Sequence, residues 1–271
     1  MKPENRVPTG ELCRPKALLL DFGGVIVLTR RNPEWKQELA RYVLQRLAAA
    51  GATHEKLTED FIVADIASAS IADSHWKNAM SRLYAPRELR WEEFWGDFVA
   101  ADWPEAARDV VVSEARELCR VMGNLKSVRT LRDGMIDLLD ACDAAGVPVG
   151  IVSNALSGQV HLDFLVAHGL IDRFATEVHS DAVEMRKPNP EMILLAARRL
   201  GVDAAACWYV GDNYDRDVLC GIRAGVGGNI LMEAKKTYEP PYDLDIRPGA
   251  IVADPVGLLE LFRRATSEVA A

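Results

Sequence analysis

The chain has 271 residues, 49% of them hydrophobic, and a formal net charge of -8 at pH 7. That is enough to bury a core of ordinary size, in one large domain or two modest ones. The acidic balance and the lack of a basic run interleaved with aromatics argue against a nucleic-acid scaffold, and no stretch approaches the length of a membrane span.

Residues 1–14 are polar and Pro-rich, lack the apolar middle of a signal peptide, and read as a frayed tail. The five cysteines, at positions 13, 119, 142, 207 and 220, make no CxxC pair and no zinc-like spacing, which fits a reducing cytoplasm.

The first strand is predicted at Ala17–Leu20, a short apolar run that stops on Asp21 and is followed by two glycines within ALLLDFGGVIV. From 31 to 125 the character changes. Five of the six tryptophans lie there, and the spacing predicts amphipathic helices over 33–50, 55–69, 74–84, 91–101 and 105–122 without a strand. We read this interval as a helical cap inserted after the first strand. The α/β core takes residues 15–30 and 126–271.

Three further apolar runs each halt on polar residues: 147–152 before Ser153 and Asn154, 207–210 before Gly211 and Asp212, and 250–252 before Asp254. A fourth short strand fits over 174–179. Helices are predicted over 134–145, 156–168, 190–200 and 217–224, and EAKKTYEPPYDLDIRPG at 233–249 reads as a surface loop. Strand alternating with helix marks a doubly wound α/β fold with a parallel sheet. In such a sheet ligands sit beyond the carboxyl ends of the strands. Asp21, Ser153 with Asn154, and Asp212 would therefore meet in one crevice.

These residues resemble the motifs of the haloacid dehalogenase-like superfamily, in particular its members with a helical cap after the first motif. Asp21, Phe22, Gly23, Gly24 and Val25 stand where that family has D-x-D-G-[TV]. VGIVSNA supplies Ser153, MRKPNPEM supplies Lys187, and GDNYDRD supplies the acidic pair Asp212 and Asp217. The resemblance implies Asp21 as a nucleophile that accepts a phosphoryl group. It implies Mg²⁺ held by Asp21, the backbone oxygen of Gly23 and Asp212, with Asp217 completing the metal site by holding the waters bound to the ion. Phosphate would be bound by Ser153, the amides at Asn154 and Ala155, and Lys187. The implied activity is a Mg²⁺-dependent phosphatase acting on a small phosphorylated metabolite, a sugar phosphate among the candidates.

Gly23 departs from the pattern. Phosphatases of the family usually carry at this position an Asp that protonates the leaving oxygen, help worth about 10²–10⁴-fold in rate. Three readings follow: a phosphatase whose missing acid is supplied by another group, by the substrate, or is made dispensable by a good leaving group such as an anomeric oxygen; a metal-independent 2-haloacid dehalogenase; or a weakly active relative that binds a ligand or partner. The paired acids Asp212 and Asp217 favour the first, because displacement at carbon leaves a metal site idle. In the cap, His75, Trp76 and Lys77 could face the crevice, although turning Trp76 into the cap core is the simpler expectation. His54, His161, His168 and His179 show no ligand pattern and receive no chemistry. A Trp-rich cap also offers a face for a homodimer.

Overall fold

The computed structural model describes residues 12–267. Its main sheet has six parallel strands: β1 (Ala17–Leu20), β4 (Val149–Ser153), β5 (Thr176–His179), β6 (Cys207–Gly211), β7 (Gly228–Met232) and β8 (Ala250–Val252), in the order β5-β4-β1-β6-β7-β8. The numbering leaves room for β2 (Val27–Arg31) and β3 (Ser127–Leu131), which form a separate antiparallel pair. β1 lies between β4 and β6, with Leu18 opposite both Val149 and Trp208. Chain order reverses there, and the carboxyl ends of β1, β4 and β6 open onto one crevice.

Side chains on a strand alternate between faces. Leu18 and Leu20 accordingly join Val149, Ile151, Val210 and Phe262 on one side of the sheet. Ala17 and Leu19 join Val152, Tyr209 and Ile193 on the other. The helices Met135–Ala144 and Pro255–Ser267 cover the first face, and Glu191–Leu200 covers the second.

The helical residues between β2 and β3 have their own apolar cluster. Trp35, Trp95 and Trp103 are buried in it with Leu39, Ile62 and Val111, while Trp76 and Trp91 pack against its edge.

Several elements depart from the expected pattern. β2 and β3 pair with each other on either side of the helical residues 35–126, where no strand was expected. β2 reads VLTRR and exposes its last four residues, and β3 reads SVRTL with its apolar Val128 on the exposed side, so neither shows the apolar-in, polar-out sequence pattern that announces a strand. The helices expected over 55–69 and 74–84 are one helix, Glu59–Met80. Ser70 and Ser74 donate their hydroxyls to the carbonyls of Ile66 and Ser70, so residues that favour turns are absorbed into the helix. The helix expected over 105–122 is two, Glu105–Ser113 and Ala115–Lys126, parted at Glu114, whose carboxylate takes two hydrogen bonds from Arg46. β7 was not anticipated. Of the expected tail, residues 1–11 lie outside the described residues. Cys13 and Arg14 are tied down, since the Cys13 carbonyl accepts from Trp208 and Arg14 donates to the Ala145 carbonyl.

Candidate active site

Asp21 follows β1 directly and is buried, with its Oδ1 accepting the Phe22 amide at 2.7 Å. Lys187 reaches it from the loop before helix Glu191–Leu200: Nζ lies 2.9 Å from Asp21 Oδ1 and 2.6 Å from Asp217 Oδ1. The same ammonium donates to the Tyr209 hydroxyl at 2.9 Å, and that hydroxyl donates to Asp217 at 2.7 Å. Asp217 Oδ2 accepts the amides of Asp212 and Asn213. The residues whose sequence positions suggested a common crevice do meet there.

Charge explains the arrangement. Burial works against the Lys187 charge, yet the two carboxylates outweigh it and hold this amine above its ordinary range. For Asp217 burial pushes the pKa up, but Lys187 and the hydrogen bonds from Tyr209 and Asn213 bring it below the usual carboxylate value. Asp21 is raised, because burial exceeds what Lys187 returns. Asp212 is raised much further, by burial and then by the like charges of Asp217 and Asp21. The cluster thus sets three carboxylates against one ammonium.

That surplus of negative charge fits a divalent cation. One oxygen from each of Asp21, Asp212 and Asp217 can be chosen so that all lie within 4.8 Å of one another, a hard-oxygen set of the type Mg²⁺ takes. Gly24 has φ +78°, and a Cβ there would lie 2.3 Å from Asp212 Oδ2, so only glycine lets the chain turn this close to the carboxylate. Gly23 is the opposite case. A Cβ at Gly23 would have no heavy atom within 4 Å, so the missing side chain is not a steric requirement.

At the expected phosphate-binding end, Ser153 closes β4, is buried, and lines the same cleft. The Asn154 side chain does something the sequence did not suggest. Its Oδ1 accepts the Lys187 amide at 2.7 Å and its Nδ2 donates to the Lys187 carbonyl at 3.1 Å, fixing the backbone that carries the lysine. The Ala155 amide, expected to face phosphate, is taken by Ser180 Oγ at 2.8 Å. Ser180 in turn donates to Glu88, whose other oxygen pairs with Arg186 at 2.6 Å. Both members of that pair are almost fully buried, and Arg186 stands next to Lys187. Glu88 comes from the helical region between β2 and β3, so this contact fastens that region to the lysine loop. Glu88, Ser180 and Tyr209 carried no signal in the sequence beyond lying in mixed or apolar runs.

The cleft has a volume of about 420 Å³. Besides the carboxylates it takes in His161, which stacks on Phe22 with ring centroids 4.0 Å apart. Burial, and then His179, push the pKa of His161 well below that of an ordinary imidazole, so it is neutral. No chemistry was expected of it. His75, Trp76 and Lys77 do not line the cleft. Trp76 packs against the cap core beneath Arg87 and Arg186, and Lys77 pairs with Asp73 at 2.7 Å. All five cysteines are free thiols, and no helix among the described residues is long and apolar enough to cross a membrane.

A family model for haloacid dehalogenase-like hydrolases matches residues 15–225. A phosphoglycolate phosphatase of Xanthomonas campestris is 37% identical over 121 residues, 45% of this chain and 53% of its own length. A pyrophosphatase of Bacillus velezensis is 36% identical over 115 residues, 40% of this chain and 52% of its own length. The chain spans about half the length of these curated relatives. The solved structure of a 2-haloacid dehalogenase from Pseudomonas syringae has TM-score 0.58 at 18% identity, covering 93% of this chain and 99% of its own, a likeness of fold. The chain belongs to the haloacid dehalogenase-like hydrolases.

Proposed function

We propose that the protein is a Mg²⁺-dependent phosphatase that releases phosphate from a small phosphorylated metabolite through a phosphoryl group carried on Asp21. The observation that supports this reading best is the unbalanced cluster of Asp21, Asp212 and Asp217 around Lys187. Displacement of halide from carbon has no use for a cation-binding set. The phosphatase and pyrophosphatase names of the relatives support the same substrate class.

Asp21 attacks phosphorus through a carboxylate oxygen, the bond from phosphorus to the leaving oxygen breaks, and water then cleaves the phosphoryl-Asp21 bond to return the carboxylate and free phosphate. Asp21, Asp212 and Asp217, with the Gly23 carbonyl, would hold Mg²⁺, which when bound offsets the phosphate charge. Lys187, already beside Asp21, places a second positive charge at the phosphoryl oxygens, and Ser153 offers a hydroxyl donor. Asn154 acts through the Lys187 backbone and not by touching phosphate.

Gly23 has no proton to give. Unless another group in the cleft supplies that proton, the leaving group must depart as a stable anion or bring its own acid, which favours anomeric and acyl phosphates over primary alkyl esters. Phosphate release from those three classes, with and without Mg²⁺, tests the reading. The expected result is Mg²⁺-dependent turnover, strongest on anomeric or acyl esters. Turnover of a haloacid that survives excess chelator would overturn it.

A further inference from the structure

The loop 233–249 contributes more to the cleft than a surface connection requires. Residues 234–237 form a turn with Lys235 and Lys236 at its two central positions. The turn is locked from below: buried Thr237 accepts the Ala234 amide and donates to the Asp212 carbonyl, both at 2.8 Å. Further along, the Tyr242 hydroxyl donates to the Ser81 carbonyl at the end of the cap's long helix, so the loop bridges core and cap. The turn that carries the lysines is therefore tied to the backbone of Asp212, and both lysines line the cleft.

Central turn positions ordinarily go to Gly, Asn, Asp or Pro. Two adjacent lysines bring like charges together for no local gain. Neither makes an ion pair among the described residues, although the chain carries 40 acidic side chains to 32 basic ones. The neighbouring carboxylate of Glu233 is occupied by the Tyr238 hydroxyl at 2.6 Å. Arg216 lines the same cleft; its Nε forms an ion pair with buried Asp215 at 3.4 Å, without the geometry of a hydrogen bond.

We propose that Lys235 and Lys236, with Arg216, form a subsite for a second anionic group on the substrate, a carboxylate or another phosphate placed a few bonds from the phosphoryl group that Asp21 accepts. The proposal rests on the phosphatase reading above and narrows its substrate class to small phosphate esters or anhydrides with a charged tail. Charge-assisted contacts at such a rim are worth about tenfold to a hundredfold in affinity, and they weaken as salt screens them.

A matched pair of probes isolates the tail. 2-Phosphoglycolate and ethyl phosphate share a skeleton and differ in a carboxylate against a methyl group. Titrated calorimetrically with Mg²⁺ against the full chain carrying Asp21→Asn, which blocks turnover, phosphoglycolate binds at least about tenfold tighter. Adding Lys235→Ala and Lys236→Ala removes the difference and leaves ethyl phosphate unchanged, whereas Lys235→Arg with Lys236→Arg keeps it. Equal affinities in the parent overturn the proposal, as does failure of phosphoglycolate to bind. An equal loss for both probes also overturns it, because the lysines would then be gripping the shared phosphoryl group. Phosphate release by the unmodified chain is read separately, so a failed tail preference and a failed phosphatase reading are distinct results.

Discussion

Lys187 and Lys235 line one cleft and hold their charges in opposite ways. Lys187 is buried, tied to two carboxylates and a tyrosine, and its backbone is clamped on both sides by Asn154. Lys235 is exposed and has no ion partner among the described residues, although its turn is anchored just as firmly. The floor of the cleft spends its charge on internal pairing and holds one geometry. Charge at the rim is left free for something outside the chain. A protein can fix chemistry in a dry, saturated cluster and leave recognition to a wet surface, because a buried charge without a partner is costly and an exposed one is not.

The largest expected effect follows from that contrast. Lys187→Met leaves Asp21 and Asp217 buried without their counter-charge, so unfolding in denaturant should report a loss of about 3–5 kcal/mol, together with loss of phosphate release. Lys235→Met should change stability by less than about 0.5 kcal/mol. Similar losses for the two variants would erase the distinction between floor and rim.

Next comes a gain. Gly23→Asp adds to the floor a group for which there is space, and on primary alkyl phosphates it should raise turnover by up to about 10²–10⁴-fold. No gain on alkyl esters would mean that the missing acid is supplied elsewhere in the cleft.

The smallest effect concerns His161, between floor and rim. Its folded pKa is depressed from 6.5 by burial, so the unfolded chain takes up the proton first as pH falls below that value. Stability from this group is complete above pH 6.5 and is lost as pH drops toward the folded value. His161→Gln should therefore flatten the fall of melting temperature just below pH 6.5, and an unchanged slope there would mean the ring is not neutral.

The sequence made the floor readable because the three strands β1, β4 and β6 end abruptly, an apolar run meeting Asp21, Ser153 or Asp212. Such boundaries survive in one dimension. The seam between cap and core does not. β2 and β3 pair two segments about 100 residues apart, and neither sequence shows an apolar-in, polar-out alternation. Glu88 and Arg186 are likewise ordinary surface-type residues until the fold buries them together. Tyr209 sat in an apolar run and looked like core, and its hydroxyl gained meaning only once Lys187 and Asp217 arrived from elsewhere. The rim lysines lay in a stretch legible as a loop. What the sequence could not convey was the Thr237 hydroxyl that ties their turn to the Asp212 backbone carbonyl.

The central claim is that Asp21 carries the phosphoryl group. Acyl phosphate hydrolysis by the unmodified chain and by Asp21→Asn, each with Mg²⁺ and with acid-quenched peptide mapping of Asp21, tests it most directly. The account predicts turnover by the unmodified chain, a phosphoryl adduct on its Asp21 peptide, and neither in the variant. Turnover that persists in Asp21→Asn would contradict it.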